Sequence, residues 1–225
     1  MADLQRNSLR LGGALLLSSA LSLGLLIAGA RSGEDSYAYM GWNLFLAWLP
    51  LAFMFWLLKI LRRARWSSWE GIGVSLLWLG FLPNSFYLIS DLIHIQESPQ
   101  SEVLYDAVMF TSFSLNGMLL GYISLYLFHV QLRRRISSNM TRFIIGMTLF
   151  LCSFAIYLGR DLRWNTWDVF VNPAGLLFDL SNRFISPFSY PRMFITTGIF
   201  FVLLTTMYYV GWNIVRVLRY SQTSK

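Results

Sequence analysis

The sequence predicts an all-α protein: a polytopic membrane helix bundle with six transmembrane helices and a short interfacial helix in its last outer loop. Three observations carry that expectation. Hydrophobic residues make up 56% of the 225 and charged residues only 13%, with a mean hydropathy of +0.51; a soluble domain carries about 25% charged residues. Uncharged apolar runs close to the ~20 residues that span a ~30 Å hydrocarbon core recur six times. These runs are continuously apolar rather than alternating with period two, which fits helices and not a membrane barrel.

The six runs are residues 11–30, 36–58, 71–90, 107–132, 143–159 and 193–215. They leave no stretch for a separate soluble domain, so residues 1–225 read as a single membrane domain. Pro50 and Pro83 fall inside the second and third runs, without a matching Pro-broken helix in the second half. No internal repeat or low-complexity tract is visible.

Charge sets the expected orientation. Counting Lys and Arg in alternate connections gives 13 of 18 on the side of the N-terminus and 5 on the other. By the positive-inside rule both termini are cytoplasmic. In a bacterium that means a multi-pass protein of the inner membrane. Nine of the 11 acidic residues fall on the outer side. The net charge of +7 is thereby explained by membrane lipids: Arg62, Arg63 and Arg65, and Arg133 to Arg135, follow apolar runs directly and meet anionic headgroups. A nucleic-acid footprint would gather on one recognition face, so no nucleic-acid partner is expected. The first run has a rival reading as a signal peptide, with Ala28-Gly29-Ala30 as a small-residue cleavage site. Its 20 residues exceed the 7–15 of a signal core.

Two stretches carry most of the polar chemistry. After Pro83, which should kink the third helix, Asn84, Tyr87, Asp91 and His94 follow at spacings of 3, 4 and 3, one face of an α-helix. The fourth helix starts after Asp106 and holds Asn116, either an interhelical hydrogen bond or a site residue. Gly117 and Gly121 beside it give a G-x-x-x-G spacing suited to close helix packing. The second stretch, Gly159 to Asp168, opens the longest loop. Arg160 and Arg163 would clamp a carboxylate or phosphate, or anchor at the interface. Trp164 and Trp167 suit the headgroup layer; Asn165 and Asp168 lie between and beside them. Asn172-Pro173 then caps a short helix whose apolar face is Leu176, Leu177, Leu180 and Phe184. His129, alone among basic cytoplasmic ends, reads as a surface residue.

At these motifs the chain resembles a bacterial membrane family catalogued as domain of unknown function 1361. The residues that match are Gly41 to Pro50, Leu82-Pro83-Asn84 with Tyr87, Asp91 and His94, then Tyr105-Asp106, and Gly159-Arg160 with Arg163 to Asp168. The likeness covers about residues 40 to 215. It implies a bacterial polytopic protein and brings no activity with it.

The expected site is an outward-facing polar pocket formed by Asn84, Asp91, His94, Asp106, Asn116, Arg160, Arg163 and Asp168. Asp91 or His94 would act as general acid or base, with Asp106 and Asp168 orienting it or binding a cation. Asn84, Tyr87, Asn116, Arg160, Arg163, Trp164, Asn165 and Trp167 would contact a lipid, or a lipid-linked or other anionic small molecule, at the outer leaflet. A small-molecule transporter is the first alternative, weakened by the missing repeat and the absence of a midplane carboxylate. A structural or assembly role is the second. With two His and one Cys in the chain, no metal centre and no cofactor are expected. Cys152 alone cannot form an internal disulfide. The oligomeric state is left open.

Overall fold

The computed structural model describes residues 2–30, 37–164, 171–185 and 189–223. Every regular element among the described residues is helical. In chain order these are α1 (Ala2–Ala30), α2 (Tyr39–Ile60), α3 (Trp69–Tyr87), a 3-10 segment (Leu88–Glu97), α4 (Val103–Arg133), α5 (Ser138–Asp161), α6 (Pro173–Ile185) and α7 (Pro191–Thr223). Six helical stretches are long and apolar enough to cross a membrane: Leu9–Gly29, Tyr39–Ile60, Trp69–Glu97, Val103–Arg133, Ser138–Asp161 and Pro191–Leu218. Each overlaps one apolar run of the sequence. They overrun those runs at most ends because a helix continues past the first charge into the headgroup layer, as α5 does from its Ser137 cap through Arg142. The short helix α6 supplies the extra element expected in the last loop.

The chain forms two compact units, Met1–Ser124 and Leu125–Lys225, and α4 contributes to both. In the first unit α2 packs along α3. Its core is Met40, Leu44, Met54 and Leu57 from α2, with Trp78, Leu82 and Phe86 from α3 and Phe110, Phe113 and Leu120 from α4. The contact between α3 and α4 depends on glycine. A Cβ on Gly117 would come within 2.3 Å of the Ser85 carbonyl oxygen, and one on Gly121 within 2.8 Å of the Phe86 ring. The G-x-x-x-G spacing thus serves close packing, as the sequence suggested.

Hydrophobic burial between helices vanishes as a driving force in lipid, so polar contacts and close packing do more of the joining. Helix α1 illustrates this: Leu16, Leu17, Leu21 and Ile27 are exposed, yet its serines are engaged. Trp48 donates to Ser19 Oγ at 3.1 Å, Asn116 to Ser22 Oγ at 2.7 Å, and Tyr105 to the Leu25 carbonyl. Inside the unit Trp78 donates to Ser124 Oγ at 2.7 Å. In the second unit α5 packs on α7, burying Leu149, Cys152, Ile156 and Leu204.

Candidate functional site

Helix α3 changes its winding where its polar residues begin. Pro83 lies inside the helix and withholds one backbone donor. Five residues later, at Leu88, the backbone tightens to 3-10 form and holds it for 10 residues, although such runs rarely exceed three or four. Neighbouring hydroxyls engage the carbonyls at this junction and just beyond it. Ser114 donates to the Leu88 carbonyl at 2.9 Å, and Ser90 donates to that of Tyr87 at 2.7 Å. The Ser85 hydroxyl reaches across to the Ala47 carbonyl at 2.9 Å.

This winding corrects one geometric expectation. On an α-helix Asn84, Tyr87, Asp91 and His94 share a face. In 3-10 form residues three apart eclipse, so Leu88, Asp91, His94 and Glu97 make one row. Tyr87, four residues before Asp91, is turned about 120° from it at three residues per turn. The row runs from buried to open. Leu88 is buried, Asp91 is 1% exposed, and His94 Nδ1 lies 2.9 Å from the well-exposed Glu97 carboxylate.

The imidazole of His94 lies among aromatic rings. Tyr39 meets it edge-on at 6.0 Å and Phe110 stacks at 6.2 Å, with Tyr37 edge-on to Phe110 at 5.0 Å. Asp106, 5% exposed, stands one turn before Phe110 on the same side of α4. Asp91 and His94 therefore share one row of the 3-10 segment, and Asp106 stands one turn from the ring that stacks on His94. An imidazole oriented by a carboxylate is a group suited to proton transfer.

The two asparagines are placed differently. Asn116 stands ten residues beyond Asp106, about 15 Å along α4 at 1.5 Å per residue. Its amide donates to the Ser18 carbonyl, Ser22 Oγ and the Ser112 carbonyl, while its buried carbonyl oxygen accepts nothing. It is an interhelical tie. Asn84 donates to the Phe81 carbonyl one turn back at 3.1 Å.

In the second unit α5 ends at Asp161, and Arg163 just beyond it adopts φ +57°, a left-handed conformation that costs a non-glycine residue about 1 kcal/mol. Trp164 folds back, its N–H on the Leu158 carbonyl at 3.1 Å and its indole donating to the Asp179 carboxylate at 3.0 Å. The sequence read Trp164 as an interface anchor or substrate contact; its polar edge is held by α6. Arg183 is the centre here. It donates to Tyr157 Oη at 3.1 Å and to the Asp179 carbonyl at 2.7 Å, and lies 5.0 Å over the Tyr190 ring. Asp161 pairs with Arg192 at 3.0 Å. Arg160 is half-buried and Arg163 exposed. Asn165, Trp167 and Asp168 lie outside the described residues.

At the other end of this unit His129 departs from expectation. It is buried, stacked at 3.9 Å on Trp212, with Nδ1 2.8 Å from Tyr208 Oη. Tyr126, His129 and Arg133 share one face of α4 and meet Tyr208 and Trp212 of α7, which is why the histidine is not at the surface. Among the described residues no three His, Cys, Asp or Glu side chains stand close enough to hold a metal ion.

Sequence reasoning missed Glu97, Tyr39 and Phe110 around His94, and Tyr157, Asp179, Arg183 and Tyr190 in the second unit. The i, i+4 spacing of Asp179 and Arg183 was the available signal for the latter. The i, i+3 spacing of His94 and Glu97 was the signal for the former.

The model of a protein family described as "Protein of unknown function (DUF1361)" matches residues 42–207. That span is most of the chain and includes Asp91, His94, Asp106, Arg160 and Arg163; the protein belongs to this family. No curated protein and no solved structure matches it.

Proposed function

We propose that this family member handles a lipid, or a lipid-linked anionic substrate, at the outer leaflet of a bacterial inner membrane, as an enzyme or as a binding protein. The observation that carries the reading is the burial of Asp91 and Asp106, with His94 in the same 3-10 row as Asp91. Carboxylates are expensive to bury near a bilayer, and an ionisable residue kept there is by default a candidate for function. In this reading His94, oriented by Glu97, moves the proton. Asp91 and Asp106 stabilise the positive charge that develops on the imidazole. The guanidinium groups of Arg160 and Arg163, at the end of the α5 span, are suited to anionic headgroups. Asp168, Asn165 and Trp167 belong to the proposal by sequence alone. Thirteen of the 18 basic residues in alternate connections support an outer location for these ends.

The test is a whole-lipid mass-spectrometric profile of cells lacking the protein. We expect one anionic lipid class to accumulate or vanish, and to be restored by the wild type but not by Asp91→Asn or His94→Gln made at equal abundance and equal melting temperature. An unchanged profile, or full rescue by both variants, overturns the reading. Its sidedness is checked in a Cys152→Ser background with an impermeant maleimide on intact cells. Cysteines at Ser101 and Ser189 should react and one at Ser137 should stay silent; the reverse pattern inverts the protein.

A further inference from the structure

Helix α6 is inside-out relative to a helix that lies in water. At 100° per residue, Ala174, Leu177, Phe178, Ser181, Asn182 and Ile185 fill one arc of about 140°, and all six are exposed. Leu177, Phe178 and Ile185 are 66%, 67% and 77% exposed. The opposite arc holds Gly175, Leu176, Asp179, Leu180 and Arg183, all half-buried. The charged pair of the helix therefore faces protein and its large apolar side chains face away. The apolar face read from the sequence is divided: Leu176 and Leu180 go inward with the charges, and Leu177 goes outward.

What fixes this rotation is chemical. Arg183 is held by Tyr157 and Tyr190, and Asp179 by the Trp164 indole. These contacts also set the height of the helix. Tyr157 is four residues before the end of the span Ser138–Asp161, about 6 Å down that helix at 1.5 Å per residue. Its side chain leans further toward the helix N-terminus. Helix α6 is thus tied below the rim of a membrane-spanning helix, and it joins that span to the next, which begins at Pro191. A surface helix that meets water on its free side turns charge outward and keeps its apolar stripe inward.

We infer that α6 is an in-plane membrane helix whose Leu177, Phe178 and Ile185 face binds the acyl chains of the bilayer, at the boundary between headgroups and hydrocarbon. The face is a lipid contact, independent of whatever chemistry His94 performs. A patch of large exposed apolar side chains with its charges turned inward fits hydrocarbon as partner and not a solvated protein surface.

The inference is tested by spin labels placed singly at Ala174, Leu177, Phe178, Ser181 and Ile185 in the full-length protein reconstituted in phosphatidylglycerol–phosphatidylethanolamine vesicles. Cys152 is fully buried, so the unsubstituted chain serves as the labelling control alongside Cys152→Ala. We expect collision with oxygen to exceed collision with a water-soluble nickel chelate at every position, at a depth of about 5–10 Å below the phosphates. Nickel collision dominating at Leu177, Phe178 and Ile185 places the face in water and overturns the inference. Exclusion of both relaxers means that protein covers the face, either a second copy or another segment of this chain, and overturns it equally. Labels at these exposed positions leave the Arg183 contacts intact; a melting temperature matching the control verifies the fold at each site.

Discussion

The two units join their helices with different chemistry. In Met1–Ser124 the ties are neutral and small: serine hydroxyls, one asparagine, two tryptophan indoles and a pair of glycines against which α3 packs. In Leu125–Lys225 they are aromatic and cationic: His129 on Trp212 beside Arg133, and Arg183 among Tyr157, Tyr190 and Asp179. The glycines differ by position. Gly117 and Gly121 admit no extra atom, whereas Gly73 and Gly80 of the first unit and Gly146, Gly198 and Gly211 of the second have nothing within 4 Å of an added Cβ. Neutral ties between closely spaced backbones specify one fixed packing. Cation and ring contacts act at longer reach, up to about 6 Å from the ring centroid.

That contrast can be broken at its strongest point first. Gly117→Leu forces a side chain onto the Ser85 carbonyl and the Leu88 side chain, a backbone obstacle that cannot rotate away. We expect a loss of about 3 kcal/mol or more, read as a collapse of yield and melting temperature in detergent. Gly121→Ala, which meets the Phe86 ring and Ser85 Cβ, should lose less, and Gly198→Ala should be neutral or gain up to about 1 kcal/mol from helix propensity. Equal effects at Gly117 and Gly198 would erase the distinction between the units.

The middle effect belongs to Arg183, whose side chain is 14% exposed. Arg183→Gln removes the bond to Tyr157 and the cation over Tyr190, and should destabilise by about 2 to 3 kcal/mol. Arg183→Lys keeps the charge without the planar fork and should recover only part. Thermal unfolding of the two variants checks the order. The smallest effect concerns the tie to α1. Asn116→Ala with Ser22→Ala in a double-mutant cycle should show coupling of about 0.6 kcal/mol and no more than about 1.7, the range found for hydrogen bonds between membrane helices. A coupling near zero would mean that Asn116 is spent on something other than α1.

The six spans were legible because the bilayer imposes one length on every crossing helix and each run met it. Gly117 and Gly121 were legible because spacing alone reports close packing in lipid. The row around His94 was only half legible. Asp91 and His94 were found, but their neighbours were assigned by a 3.6-residue period that the backbone abandons after Tyr87. Pro83 signalled a disturbance without saying that it would take the form of sustained 3-10 winding. His129 escaped for another reason: burial of a lone polar residue is decided by the helix opposite, and Tyr208 and Trp212 stand some 80 positions away in sequence. Arg183 was counted for its charge and not seen as a tie, since its partners Tyr157 and Tyr190 lie outside its own helix, one in α5 and one just before α7.

The 3-10 winding also works as a ruler. An α-helix advances about 1.5 Å per residue and a 3-10 helix about 2.0 Å. The 19 residues of α3 thus cover about 28 Å, already close to the ~30 Å of a hydrocarbon core. The next 10 residues add about 20 Å where ordinary winding would add about 15 Å. Asp91 is carried about 8 Å past Tyr87 and His94 about 14 Å. From Trp69 to His94 the chain thus rises about 42 Å, so this one helical stretch outreaches the hydrocarbon core that its α-helical part alone would nearly fill.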